Sequence, residues 1–195
     1  LVTLLAMEPP CAFTDEAIRT EKVKVLRALR PWNHQRIQED TVRGQYTADP
    51  HHTVAAYQQE EHVAKDSQTE TFVAAKLYID NLRWTGVPFY IRTGKRLQKK
   101  TTQIHIVFKH MPINLFDHNY PVPLSSNVLT IDIQPNEGFA LTINGKAPGS
   151  ALSLAPVTLD YHHSQEILEN SPEAYERLSE DCLLGDHTHF THWEE

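Results

Sequence analysis

Six segments between residues 71 and 161 alternate apolar and polar side chains, and this pattern constrains the fold more than any other feature of the sequence. They are TFVAAKLYI, VPFYIR, TQIHIVFK, NVLTIDIQ, FALTI and APVTLDY, in chain order. In NVLTIDIQ, for example, the aliphatic residues Leu129, Ile131 and Ile133 fall on one side of the strand. A period of two is typical of a strand with one buried face, and turn sequences such as PNEG separate the segments. The pattern therefore predicts an antiparallel sheet with one packed face and one more polar face.

The sequence before the strands predicts helices. LVTLLA is apolar enough for a buried helix, and Thr14 or Asp15 can cap a second helix that Pro31 ends. The inward face of that second helix is expected to consist of Ile18, Val25, Leu26 and Leu29. Residues 33–66 are polar, so they predict a long surface excursion with one strand-like segment, VRGQY.

A further helix is predicted after the strands, in SPEAYERLSEDCLLGD. Ser171 suits its N-cap, Pro172 suits its first position, and Gly185 suits the position after its end. The stripe expected to face inward consists of Ala174, Tyr175, Leu178 and Cys182, so Cys182 is expected in the core.

This order of elements predicts an α+β fold, with a large mainly antiparallel β-sheet and helices packed on one face, as one domain over residues 1–195. The sequence contains no run of about 18 apolar residues, so no membrane span is expected. Two cysteines indicate no disulfide framework, and we expect a cytoplasmic protein. LVTLLA has no basic leader and reads as the middle of a helix, so we expect a segment of a longer protein.

A cluster of positive charge follows the second strand segment, although the chain has a formal net charge of -7. It consists of Arg92, Lys95, Arg96, Lys99 and Lys100. The cluster is not a nucleotide phosphate loop, because Phe89 stands at the first glycine position of that motif, and no G-x-G-x-x-G occurs. Two interpretations stay open, a solvated strand end that prevents edge aggregation and an anion site in which Gly94 lets Lys95 and Lys100 converge. The acidic composition disfavours nucleic acid as a partner.

The histidines do not form a recognised metal motif. HTHFTHW places His187, His189 and His192 close together, but no acidic ligand has metal-site spacing. We therefore expect surface histidines and no metal. No local Ser-His-Asp or Cys-His order is present either, which argues only weakly against a triad because triads are spatial.

Residues 69–97, TETFVAAKLYIDNLRWTGVPFYIRTGKRL, resemble the C-terminal part of the glucose-6-phosphate dehydrogenases. LLAMEPP, IRTEKVKVLRAL, VRGQY, IQPNEG and PEAYERLSEDCLLGD resemble the same family in the same order. The resemblance implies an enzyme of the pentose phosphate pathway that oxidises glucose 6-phosphate to 6-phosphogluconolactone with NADP. It further implies that the N-terminal Rossmann domain, the HYLGK-type segment, the His-Asp general base and the extreme C-terminus lie outside this chain, so that no catalytic residue is expected here.

Three substrate-binding residues are implied by the same resemblance. Lys95 and Lys100 match the family's substrate lysines, and Gln134 matches a residue that reaches the sugar phosphate. The family's second, structural NADP site is not expected, because Thr101, His105, Ala140 and Thr142 depart from its residues. The resemblance also implies a homo-oligomer formed through the less polar exposed side of the sheet. An independent anion-binding module that reuses the domain without catalysis is the alternative.

Overall fold

The computed structural model describes residues 1–49, 54–110, 125–149, 154–162, 174–191 and 193–194. The chain divides into two compact units, one made of Leu1–Leu97 with Pro172–Glu195 and the other of Gln98–Ser171. The first unit contains helices and a small sheet, and the described part of the second unit is a sheet alone. Nowhere in the described ranges is a helix both long and apolar enough to cross a membrane.

The helices of the first unit are α1 (Val2–Ala6), α2 (Asp15–Arg27), α3 (His34–Asp40) and α4 (Ala174–Leu184). Helix α2 begins where the sequence predicts, since the Thr14 hydroxyl oxygen accepts a hydrogen bond from the backbone N–H of Ala17 at 3.4 Å. Helix α3 lies in the segment expected to be a surface excursion. It begins at an Asn33 cap whose side chain accepts from the Arg36 backbone N–H at 2.9 Å.

The sheet of the first unit has three antiparallel strands in the order β1 (Thr41–Gly44), β2 (Phe72–Tyr78) and β3 (Pro88–Gly94). In its register, Ala75 of β2 lies opposite Thr41 of β1 and Ile91 of β3. A 3-10 turn at Tyr57–Gln59 lies in the long connection between β1 and β2.

The core of the first unit forms where α1 and α2 meet the end of β2. Ile79 is fully buried there and packs with Ala6 and Val25. The indole N–H of Trp84 donates to the Ala6 carbonyl at 2.9 Å, and its ring packs edge-on against Phe89 at 5.2 Å between centroids. Helices α1 and α2 are therefore fixed to the end of β2 by this small apolar cluster.

The second unit is a four-stranded antiparallel sheet in sequential order, β4 (Thr102–Val107), β5 (Val128–Gln134), β6 (Gly138–Lys146) and β7 (Leu154–His162). Because directly paired residues share a face, the register gives the sheet one apolar and one polar side. The apolar side carries Ile104, Ile106, Leu129, Ile131, Phe139, Leu141, Ile143, Val157, Leu159 and Tyr161. On the polar side, Gln103 donates to the Asp132 carboxylate at 2.6 Å, and the hydroxyls of Thr142 and Thr158 lie 3.1 Å apart.

The α+β class and all six predicted strands are confirmed. In the described part of the chain the strands form two separate hydrogen-bonded sheets, where the alternation alone suggested a single large one. The segment VRGQY overlaps β1. Helix α2 ends at Arg27, so that Leu29 leaves the helix and bridges to Ile79 instead.

The stripe predicted for α4 is wrong at two positions. Tyr175 is 81% exposed and Cys182 is exposed, so Cys182 is not a core residue, whereas the charged Asp181 is 8% exposed. The reason is that the His189 ring bonds the Asp181 carboxylate, with Nδ1 and Oδ2 at 2.6 Å, and so covers a different side of the helix. Gly185 follows the helix with a φ of 71°, as predicted. Ser171, Pro172 and the side chain of Ala174 lie outside the described residues.

Candidate functional site

The basic segment, residues 92–100, joins the end of β3 to the start of β4 and crosses the boundary between the two units. Arg92, Lys95 and Arg96 belong to the first unit, and Lys99 and Lys100 to the second. The side chains of all five are exposed. Their surroundings differ, however. Some of these cations could bind a ligand, whereas one is already paired with side chains of the protein.

Lys95 is fixed through its backbone. Its N–H donates to the Thr71 carbonyl at 2.8 Å, and Thr71 in turn donates its own N–H to the Gly44 carbonyl at 2.9 Å. Thr71 is buried, and its hydroxyl accepts from the Tyr46 N–H at 2.9 Å. The Lys95 ammonium group makes no hydrogen bond or ion pair with any described residue. Lys95 therefore combines a well-anchored backbone with an exposed cation.

Gly94 serves a different purpose from the one its sequence position suggested. A Cβ at Gly94 would lie 3.0 Å from Cδ2 of Phe72 and 3.2 Å from the Thr71 carbonyl oxygen, so a larger residue would be crowded there. The left-handed residue of the turn is Arg96, with a φ of 52°. The chain therefore turns at Arg96, directly after Lys95.

Arg96 is bound to two side chains from the connection between β1 and β2. Its Nη2 lies 2.8 Å from Oε1 of Glu60, and its guanidinium lies over the Tyr46 ring at 5.5 Å from the centroid. The Tyr46 hydroxyl donates to the same Glu60 oxygen at 3.1 Å. The pKa of Arg96 is raised above its ordinary value, first by hydrogen bonding with Tyr46 and then by the negative charge of Glu60. Sequence reasoning missed Tyr46 and Glu60, and only the strand-like VRGQY hinted that this polar stretch is ordered.

Lys100 and Gln134 lie at one end of the four-stranded sheet. Thr102, two residues after Lys100, is paired with Gln134 across β4 and β5. Both side chains are exposed, and neither makes a hydrogen bond or ion pair with the described residues. An ammonium donor and an amide at the same sheet end can bind an anion together with a hydroxyl group. The structure therefore brings together these two of the three predicted site residues, and Lys95 belongs to the other unit.

The residues that depart from the family's structural NADP site lie on the polar side of this sheet or next to it. Nδ1 of His105 lies 3.1 Å from the Thr130 hydroxyl, and Ala140 is paired with Thr130. Thr142 is bonded to Thr158 as described above. These side chains are small or engaged with neighbours, and the absence of a structural NADP site stays a prediction.

The histidine tract is engaged in contacts within the first unit. Besides the bond between His189 and Asp181, the Arg19 guanidinium donates to the His187 carbonyl at 2.8 Å. Hydrogen bonds from Thr188 hold the pKa of Asp186 below its ordinary value. His192 lies outside the described residues, and the residues that are described contain no group of three or more potential metal ligands.

Known proteins match this chain over its whole length. A family model described as glucose-6-phosphate dehydrogenase, C-terminal domain, matches residues 1–195. The chain is 53% identical over 197 residues to glucose-6-phosphate 1-dehydrogenase of Bacillus subtilis (strain 168), covering 100% of this chain and 40% of that relative. It is 47% identical over 199 residues to the protein of the same name from Chlamydia trachomatis, covering 100% of this chain and 44% of the relative.

Solved structures are similar too. A glucose-6-phosphate dehydrogenase in complex with its substrate glucose-6-phosphate superimposes with a TM-score of 0.85 and 39% identity, covering 100% of this chain and 38% of that one. A glucose-6-phosphate 1-dehydrogenase from Mycobacterium avium gives a TM-score of 0.77 and 33% identity, covering 96% of this chain and 37% of that one. The chain thus spans about two fifths of the length of its relatives. It belongs to the glucose-6-phosphate dehydrogenase family, whose C-terminal domain it matches from residue 1 to residue 195.

Proposed function

We propose that this chain is the C-terminal, substrate-contributing and oligomerising part of an NADP-dependent glucose-6-phosphate 1-dehydrogenase. The proposed reaction is oxidation of glucose 6-phosphate to 6-phosphogluconolactone, the chemistry of the pentose phosphate pathway, in the cytoplasm. One observation carries the proposal, which is that the family's C-terminal domain model matches the chain from end to end. The similarity to a structure solved with glucose-6-phosphate supports the choice of substrate.

Lys95, Lys100 and Gln134 are the residues that we propose to contact the substrate. The phosphate group of a sugar phosphate is a dianion. Lysine ammonium groups bind phosphate as compact point charges with three donors each. Lys95 and Lys100 are exposed and make no ion pair with any described residue, so their charge is available to a ligand. The Gln134 amide can both donate to and accept from a neutral hydroxyl or a phosphate oxygen.

The cofactor and the general base belong, in this proposal, to the parts of the enzyme that lie outside the chain. NADP accepts the hydride that leaves C1 of the sugar, which requires the nicotinamide and C1 to be fixed next to each other. The residues of this chain contribute by binding the phosphate end of the substrate and thereby orienting C1.

The oligomeric contact that we propose is made by the apolar side of the four-stranded sheet. Phe139 and Leu159 are 47% and 55% exposed on that side, and their neighbours Val157 and Tyr161 are also exposed. A contiguous apolar surface of this kind is typical of subunit contacts, and a two-fold dimer is the commonest arrangement. A discrete dimer in sedimentation, lost in Leu159→Lys but retained in Thr158→Lys on the polar side, is the expected result. A monomer at high concentration would exclude this contact.

The substrate role is tested with the full-length protein by comparing two adjacent lysines. Lys100→Ala should lower kcat/KM for glucose 6-phosphate by roughly 10- to 100-fold, because a charge-assisted hydrogen bond contributes about 1.5–3 kcal/mol. The KM for NADP should stay nearly unchanged. Lys99→Ala is the matched control, since it removes an equally exposed charge from the same segment.

Three results would count against the proposal. Equal losses in the Lys99 and Lys100 variants would indicate a general electrostatic effect. Wild-type kcat/KM in both would mean a solvated strand end. A full-length protein that bound anions yet oxidised no glucose 6-phosphate would favour a non-catalytic binding module.

A further inference from the structure

Within the described part of the chain, one cation of the basic segment has its charge engaged by the protein itself. Arg96 is bound to Glu60 and stacked on Tyr46, whereas the other four cations make no hydrogen bond or ion pair with described residues. Arg96 directly follows Lys95 and is the left-handed residue of the turn. A fixed guanidinium at that position restricts the backbone on the C-terminal side of Lys95.

Tyr46 contacts both Thr71, which anchors the Lys95 backbone, and Arg96, which follows Lys95. Its ring lies under the Arg96 guanidinium, and its backbone N–H donates to the Thr71 hydroxyl at 2.9 Å. Thr71 is the residue whose carbonyl accepts from the Lys95 N–H. The backbone of Lys95 is therefore anchored at Thr71, and the residue after it is anchored to the same tyrosine that bonds Thr71.

Tyr46 is itself well fixed. Its carbonyl accepts from the Tyr57 N–H at 3.2 Å, and the two tyrosine rings meet edge-on at 5.7 Å between centroids. Glu60 follows the 3-10 turn that begins at Tyr57, so its carboxylate comes from the same ordered connection. Tyr46 and Glu60 thus form a platform for Arg96.

We propose that Tyr46, Glu60 and Arg96, here called the Arg96 clamp, are positioning residues that aim the Lys95 ammonium group at the phosphorylated sugar. The inference rests on the proposed function, in which Lys95 contacts glucose 6-phosphate. Lysine has a flexible stem, so its ammonium group is placed accurately only if its backbone is fixed. The clamp supplies that placement from the first unit alone, and in this proposal it acts through Lys95.

If the Arg96–Glu60 ion pair were purely structural, its loss would affect stability and not activity. Arg96 and Glu60 have side chains 49% and 28% exposed, and exposed pairs of this kind contribute little to folding. Loss of the clamp should therefore leave the protein folded while lowering its activity. Alanine is a suitable replacement, because the left-handed backbone is unfavourable for arginine and alanine alike. The substitution therefore tests the side chain and not the φ angle.

The decisive experiment is a double-mutant cycle in the full-length protein. Arg96→Ala should lower kcat/KM for glucose 6-phosphate by about tenfold through misplacement of Lys95, with the KM for NADP unchanged. In a Lys95→Ala background, the same substitution should cost less than about twofold, because residues that act through one another are not additive. Arg96→Lys, which keeps the charge but loses the planar guanidinium, should not restore activity. Tyr46→Phe keeps the ring but loses the hydroxyl that bonds Glu60, so it should lower activity less than Arg96→Ala does.

Arg83→Ala is the matched control. Arg83 is an exposed arginine of the same unit that donates two hydrogen bonds to Glu8, so its loss removes a similar surface ion pair. It should leave kcat/KM unchanged. Urea midpoints should show that both arginine variants stay folded. If Arg96→Ala unfolded, Glu60→Gln would replace it in the same cycle.

The outcomes separate this inference from the proposed function. Additive losses from Arg96→Ala and Lys95→Ala would overturn the clamp and leave Lys95 as a substrate residue. An equal loss in Arg83→Ala would overturn it as well, by showing a general effect of surface charge. Full activity in Lys95→Ala itself would remove the substrate role of Lys95, and the clamp would then have nothing to position.

Discussion

Replacement of Ile79 by alanine should destabilise the first unit strongly, because Ile79 is 0% exposed at the point where α1, α2 and β2 meet. The substitution removes three carbon atoms, worth about 2.4 kcal/mol at roughly 0.8 kcal/mol per buried methylene. The surrounding side chains relax only partly after such a truncation, so a cavity cost is added. We expect a total of about 3–4 kcal/mol, within the usual range of about 2–5 for such truncations.

The measurement is urea unfolding of the 195-residue chain, followed by the fluorescence of Trp84. Trp84 packs against the same cluster and is a local reporter once Trp32 and Trp193 are changed to phenylalanine. With an m-value of about 2 kcal/mol/M, the midpoint should fall by roughly 1.5–2 M. Ile79→Val should cost only about 0.5–1.5 kcal/mol, which gives a graded series.

The matched control is Val42→Ala on β1, since Val42 is 64% exposed. It should change the free energy of unfolding by less than about 0.5 kcal/mol. If Ile79→Ala behaved like Val42→Ala, the small apolar cluster would not be what fixes α1 and α2 to the end of β2.

Three other predictions concern pH, glycine and the isolated chain. Hydrogen bonds from Arg30 lower the pKa of Asp80 in the folded state. This pair therefore stabilises the fold above the unfolded carboxyl pKa of about 4, and its contribution is lost as the pH falls through the lower folded pKa. In Arg30→Ala, the urea midpoint should accordingly fall less steeply as the pH is lowered. Gly138→Ala would bring its Cβ into collision with the Tyr161 carbonyl oxygen and should lower the urea midpoint, whereas Gly44→Ala, with nothing within 4 Å, should not. The isolated chain should neither bind NADP nor show dehydrogenase activity, and a micromolar constant by calorimetry would contradict this.

The strands were predictable because a period of two follows directly from a sheet with one packed face. Their division into two sheets was not, since strand pairing depends on contacts between distant segments that alternation does not encode. Helix α3 was missed because it is short and polar, and only the Asn33 cap marks it. The inward side of α4 was misplaced because the bond between His189 and Asp181, which no hydrophobic pattern reports, decides which side is covered.

The candidate site was predictable only in part, and for a similar reason. Lys95, Lys100 and Gln134 come from the resemblance to a family, since the residues alone favoured a solvated strand end. The partners of Arg96 lie far upstream, in a stretch whose polar composition predicted only a surface excursion. Composition cannot distinguish an exposed arginine that is engaged from one that is available. The structure makes that distinction.

The basic segment can attract a dianion despite the net charge of -7, because the two charges act over different distances. Acidic groups spread over the surface are screened beyond about 8 Å at physiological ionic strength, whereas an ammonium group in contact with phosphate is not. Glu60, the carboxylate paired with the segment among the described residues, is already neutralised by Arg96. The lysines that we propose to bind the substrate can therefore attract a phosphate group at contact distance.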